Sequence, residues 1–342
     1  MRVAMYYSNS DIRVQEMPKP RIGPGELLMK VKACGVCGGD VMEWYRAGKA
    51  PLVLGHEAAG EIAEVGTGVK QYRVGDRIAA SHHVPCNTCY YCRNGHHTVC
   101  DTLRQTNYDP GGFAEFLRLP AINVNRGVYP LPLEMSWEEA TFIEPLACVV
   151  RAQRIVGLKP GQTILVIGSG IAGLLHIRLA RALGAGRIVA VDVADYRLEM
   201  AVRSGADEAM PASGDVPRRL RELNEGRLAD QVMVCTGTPS AFPQAFASVE
   251  RGGTILLYAP TRPGVSVSFS VTDLFFRNDI TITTSYAGAP ADHFAARELI
   301  WTHRVPVRDL ITHRLGLAET GQGFQLVAEA KNSIKVVIEP ER

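Results

Sequence analysis

Thr163-Ile164-Leu165-Val166-Ile167-Gly168-Ser169-Gly170-Ile171-Ala172-Gly173 decides the fold of half this chain. Five residues from Thr163 to Ile167 read as a buried strand, the glycines fit G-x-G-x-x-G, and Ile171 opens an apolar stretch expected to be helical through Leu183. A strand that turns sharply into a helix aims backbone N–H groups and the positive helix end at one point, which suits a pyrophosphate. Gly168 permits the turn, Gly170 lets the backbone approach the phosphates, and Gly173 lets helix and strand pack; Ser169, Ile171 and Ala172 complete the loop. The next expected strand, 187–191, runs into Asp192, which lies 192 − 173 = 19 residues beyond the last glycine. A carboxylate there accepts hydrogen bonds from both ribose hydroxyls and repels a 2′-phosphate, so the pattern favours NAD over NADP. Arg197 is close enough in sequence to serve as a phosphate ligand instead. Further strands are expected at 231–234 and 254–258, and Thr236, just past the first of these, falls in a ligand-facing loop. The alternation of strand and helix defines a doubly wound, parallel-sheet Rossmann domain.

Upstream of about residue 140 the texture changes to short strands between Gly and Pro turns, such as 27–33 and 60–66, as in an irregular β-rich domain. Within it stands Cys86-x2-Cys89-x2-Cys92-x7-Cys100. Four thiolates in one short loop match the tetrahedral, all-cysteine ligand set of zinc, with Asn87, Asn94 and Gly95 supplying turns. A full set leaves no open position, so this loop organises structure and chemistry belongs elsewhere. The remaining cysteines are scattered and no secretory leader is evident, which argues against disulfides. His82, His83, His96 and His97 flank or lie within the loop and are surplus to its ligand count.

The 342 residues are 46% hydrophobic and 21% charged, enough for two domains with separate cores. A formal charge of +2 with dispersed Lys and Arg gives no basic stripe for nucleic acid. No run approaches the roughly 18 apolar residues of a membrane helix, and a cytoplasmic protein is expected.

Cys37, His56, Glu57 and Glu144 are further ligand-type residues that spacing alone does not unite. In order along the chain come Cys34-Gly35-Val36-Cys37-Gly38-Gly39-Asp40, Gly55-His56-Glu57-Ala58-Ala59-Gly60, the four-cysteine loop, Gly111-Gly112-Phe113-Ala114-Glu115 and Ile143-Glu144-Pro145-Leu146. That series resembles the zinc-dependent medium-chain dehydrogenases/reductases, in their sorbitol and threonine dehydrogenase branch, over nearly the whole chain. The resemblance implies a GroES-like β-rich catalytic domain from residues 1–145, completed by 291–342, around a Rossmann domain at 146–290. It implies two zinc ions per subunit, NAD, a small alcohol or ketone substrate, and a homodimer or homotetramer. By the same resemblance Cys37 and His56 ligate the catalytic zinc, with Glu57 as third ligand or exchanging with water, and Glu144 near or on the metal. One thiolate, one imidazole and a carboxylate leave a position for a substrate oxygen. Asp40 is expected to hold a ligand in place.

The expected activity is oxidation of a secondary alcohol within a polyol, cyclitol, sugar or amino alcohol. Threonine oxidation, a zinc-free quinone reductase and a non-catalytic NAD- and zinc-binding regulator are the alternatives, and Cys34-x-x-Cys37 as a redox pair is a further reading. Relatives carry Ser or Thr two residues after the catalytic Cys and often His five after it; here those positions are Gly39 and Met42, which cannot relay a proton. Trp44, Tyr45, Phe113 and Tyr286 are read either as pocket walls or as packing. Arg46 is read either as an anchor for an anionic or hydroxylated substrate or as a surface side chain.

Overall fold

The computed structural model describes residues 1–342. The chain divides into two compact units, Cys148–Ala287 and a discontinuous one made of Met1–Ala147 with Gly288–Arg342.

In the Cys148–Ala287 unit, six strands form one all-parallel sheet in the spatial order Glu208–Pro211, Arg187–Asp192, Thr163–Ile167, Ala229–Val234, Val249–Leu257, Thr281–Thr284. The order reverses direction between Thr163–Ile167 and Ala229–Val234, and crevices outside strand ends at such points take ligands. All five residues of Thr163–Ile167 are buried, because helices cover both faces of a parallel sheet. Leu165, Ile167, Val189, Val191, Val232 and Ile255 belong to its core. The sequence-derived strands match to within a few residues, and the expected helix spans Ile171–Ala182.

The larger unit is β-rich, as expected. Leu27–Gly35 is its central strand, antiparallel to Glu57–Val65 and to the C-terminal Lys335–Glu339. Arg77–Ser81 continues the sheet beyond Glu57–Val65. Its core draws on Leu27, Met29, Val31, Ile62, Ile78 and Val336. Phe113 is 1% exposed and meets Phe324 edge-on, so it packs this core. No helix of either unit is long and apolar enough to cross a membrane.

Candidate active site

Strand register assembles the first cluster. Gly35 pairs with Glu57, and Glu57 with Ser81, so three strands end at one edge of the sheet. Cys37 lies two residues past the first strand, His56 immediately before the second, and His82 immediately after the third. Donor atoms of Cys37, His56 and Glu57 all lie within 4.8 Å of one another. Glu144 lies outside that trio but lines a small cavity together with Glu57, Tyr129 and His293.

Asp40, fully buried, organises the loop after Cys37. One carboxylate oxygen accepts the Cys37 N–H at 3.1 Å; the other lies 3.3 Å from His56 Nδ1 and 3.3 Å from Arg46 Nη2. With Nδ1 so engaged, Nε2 of His56 is the nitrogen left for a metal, the arrangement that fixes a ligand's tautomer and direction. The Gly39 N–H points at Cys37 Sγ at 3.3 Å, as suits a thiolate. Burial opposes charge on His56, yet Asp40 and Cys37 prevail and hold its pKa well above the usual histidine value. Burial would raise the Asp40 carboxyl, but His56, Arg46 and the Cys37 N–H keep it below the usual carboxylate range. The cluster favours a positive charge in its midst, and its soft sulfur, imidazole and carboxylate suit zinc.

Glu57, 2% exposed, is also joined by a short ion pair to Lys335, itself fully buried at the start of the C-terminal strand. Burial opposes the lysine's charge, but Glu57 and Cys37 outweigh it and raise its pKa, so it stays cationic across neutral pH. Lys335→Met is expected to leave Glu57 as an uncompensated buried charge in the zinc-free protein and to cost about 3–5 kcal/mol in its denaturant unfolding. Adding Glu57→Gln to it should recover most of that loss. Sequence spacing gave no sign that Lys335 would meet Glu57.

His82 and His83, expected beside the strand leading into the cysteine loop and outside its ligand set, also border the first cluster. The His82 ring lies 4.8 Å from that of His56 and 3.7 Å from that of His83. Burial first, then neighbouring positive groups, holds His82 well below the usual value and His83 near about 4, so both are neutral at pH 7.

The second cluster lies in the same unit. Sulfurs of Cys86, Cys89, Cys92 and Cys100 all fall within 4.8 Å of one another, none in a disulfide. Cys86 Sγ and Cys92 Sγ are 4.0 Å apart, near the edge of about 3.8 Å that a tetrahedron of Zn–S bonds requires. N–H groups of Thr88 and Cys89 reach Cys86 Sγ at 3.4 and 3.2 Å, and that of Cys86 reaches Cys100 Sγ at 3.4 Å. Asn87 and Gly95 take positive φ, which turns the chain between ligands. The Thr88 hydroxyl and these N–H groups pull the Cys86 thiol down to about 5, toward the thiolate that binds metal.

The other unit carries the glycine turn. A Cβ on Gly173 would meet the Gly168 carbonyl oxygen at 1.9 Å, so only glycine permits this helix–strand approach. Gly168 has φ +95, and a Cβ there would meet Cys235 and Thr236 at 3.1 Å. Space beside Gly170 is open: a Cβ there would meet only Arg197, at 3.9 Å. Asp192 accepts the Ser169 N–H at 2.7 Å and those of Val193 and Ala194 at 2.8 and 3.0 Å; Arg197 Nη1 stands 4.0 Å from it. The carboxylate thus holds the turn in shape besides presenting its charge. Thr236 Oγ1 bonds Thr238 Oγ1 at 3.0 Å. His176 is buried on the helix and pairs with Gln153.

A β-rich unit with an ordered Cys/His/Glu cluster, in one chain with a nucleotide-type glycine turn, defines the class of metal-dependent, nucleotide-linked oxidoreductases. Residues 23–132 match the profile described as "Alcohol dehydrogenase GroES-like domain", and residues 172–302 that described as "Zinc-binding dehydrogenase". The chain is 30% identical to sorbitol dehydrogenase of Bacillus subtilis, over 100% of this chain and 98% of that one. It is 32% identical to L-threonine 3-dehydrogenase of Pyrococcus abyssi, over 94% and 92%. A zinc-binding dehydrogenase from Sinorhizobium meliloti, solved bound to NADP, superposes with a TM-score of 0.88 at 27% identity, each chain 99% covered. The chain belongs to the zinc-binding alcohol dehydrogenase family.

Proposed function

We propose that this protein is a zinc-dependent dehydrogenase that moves a hydride between NAD and a secondary alcohol or its ketone, with a hydroxylated substrate of the polyol, sugar or amino-alcohol kind. The observation that carries the reading is the Cys37, His56 and Glu57 cluster braced by Asp40, in a chain that also holds the glycine turn. Cys37 and His56 would hold the catalytic ion with a carboxylate from Glu57 or Glu144, and the four-cysteine loop a second ion. When bound, zinc supplies Lewis acidity that lowers the pKa of an alcohol at its open position. Asp40 keeps the His56 ring directed at that position, and Lys335 limits how far Glu57 swings. Gly39 and Met42 leave the departing proton to water or to the carboxylates of Glu57 and Glu144. Gly168 to Gly173 and the helix start at Ile171 would take the pyrophosphate, with Asp192 on the ribose and Arg197 and Thr236 flanking. A homodimer or homotetramer in the cytoplasm is the setting we infer.

The testing experiment follows NADH formation by zinc-loaded protein on stereodefined polyols, cyclitols, amino alcohols and simple secondary alcohols, with NAD and NADP in parallel. Turnover confined to one class with NAD supports the reading; none across the panel, extended to carboxylated and phosphorylated alcohols, sinks it. Preference for L-threonine would move the substrate to the amino-alcohol arm. Replacing Asp192 by Ser removes the charge that repels a 2′-phosphate and frees Arg197. We expect kcat/KM with NADP to rise about tenfold or more relative to NAD, while NAD itself binds more weakly because the Ser169 turn loses its brace. An unchanged cofactor ratio would remove Asp192 from cofactor choice.

A further inference from the structure

Next to the metal cluster, the side chain missing at Gly39 leaves a space with defined walls. A Cβ at Gly39 would lie 3.6 Å from Cys37 Sγ, 3.7 Å from Met42 Cε and 4.0 Å from Arg46 Nη2. A guanidinium therefore borders the same space as the cysteine ligand, on the side where relatives are expected to carry a hydroxyl. Arg46 is no loose surface group: its Nε donates to the Gly39 carbonyl at 3.0 Å, Nη2 to Asp40 at 3.3 Å, and its side chain is only 16% exposed. Of the five guanidinium N–H groups two are thus used, and three remain without a protein acceptor. Its plane is held 4.9 Å from the Tyr45 ring, and Lys49 Nζ sits 3.9 Å from the same ring with no carboxylate partner. Both positive charges also bear on neutral His83. Asp40 is already shared among Arg46, His56 and the Cys37 N–H, and Glu43, from the same short helix, bonds the Asn9 N–H.

We propose that Arg46 and Lys49 form an oxyanion clamp beside the metal cluster, so that the substrate is an alcohol carrying a carboxylate or phosphate a few bonds from its carbinol. This rests on the dehydrogenase reading and narrows it. A planar, pre-positioned guanidinium grips an oxyanion bidentately, which a neutral polyol cannot reward, and the ammonium adds long-range attraction. His83, neutral and adjacent, is a hydrogen-bonding group for a further hydroxyl.

The test compares kcat/KM with NAD across matched sets of three to six carbons: glycerol, glycerate and glycerol 3-phosphate; threitol, threonate and threitol 4-phosphate; xylitol, xylonate and xylitol 5-phosphate; sorbitol, gluconate and sorbitol 6-phosphate. The clamp predicts that an anionic member exceeds its neutral partner at least tenfold, with the better of carboxylate and phosphate naming the source. Its KM should rise with ionic strength. Arg46→Gln should raise that KM about tenfold to a hundredfold, Lys49→Gln less, and Arg46→Lys should recover part, with zinc content and the KM for NAD unchanged. Equal or better use of neutral polyols overturns the clamp while leaving the dehydrogenase reading intact. An Arg46→Gln effect confined to NAD assigns the cations to the cofactor and overturns it as well. Absence of turnover with every member overturns both.

Discussion

Cys37→Ala is expected to reduce kcat/KM by a factor on the order of 10³ or more and to lower bound zinc from two ions per chain to one, with the circular dichroism spectrum intact. Cys37 is the soft donor of the first cluster, and the loop around it is also held by Asp40, which accepts the Cys37 backbone N–H that the substitution leaves in place. Lewis acidity in such a site contributes several kcal/mol to the transition state, and each 1.36 kcal/mol is tenfold in rate. Paired metal analysis and kinetics on the variant check the result. A variant that kept its second ion and its turnover would place the chemistry away from Cys37.

The opposite signature is expected at Cys100. This residue is 1% exposed, its sulfur accepts the Cys86 N–H, and little besides Leu103 fills the interior of its lobe. So small a cluster cannot order its loop by apolar burial, and the metal must supply the folding energy. Cys100→Ser should lose the lobe's zinc and about 5 kcal/mol of stability, seen as a fall in apparent Tm of roughly 10 °C or more. At low temperature the folded fraction should keep its turnover per catalytic zinc. Loss of turnover without a fall in Tm would mean that the two clusters have been assigned the wrong way round.

The two units differed in how much their sequence disclosed, and the reason is locality. In the Cys148–Ala287 unit, strand, turn and helix are consecutive, so Gly168, Gly170 and Gly173 could be given roles directly, and the 1.9 Å approach at Gly173 is the packing reason for the last glycine. The cysteine tetrad was legible for the same reason, since all four ligands fall within one loop. The Cys37, His56 and Glu57 cluster is different. It exists because Gly35, Glu57 and Ser81 share a register across three antiparallel strands, and register between distant segments leaves no mark in local spacing. Only the family resemblance united those residues. Neither spacing nor the resemblance told that Lys335, arriving from the far end of the chain, would meet Glu57, or that His82 would lie beside His56. Arg46 was left between two readings, and the contact with Asp40 removes the surface one. Asp192 was read for its charge, whereas three backbone N–H groups also depend on it.

Stepwise removal of metal with a chelator, following zinc content and NADH formation on the same samples, tests the central claim most directly. An open site releases its ion before a closed four-thiolate site does. The account predicts two ions per chain at the outset, turnover that falls to zero as the first leaves, and recovery when one equivalent of zinc is restored. Turnover that survives loss of the first ion, or a chain that never holds more than one, would contradict it.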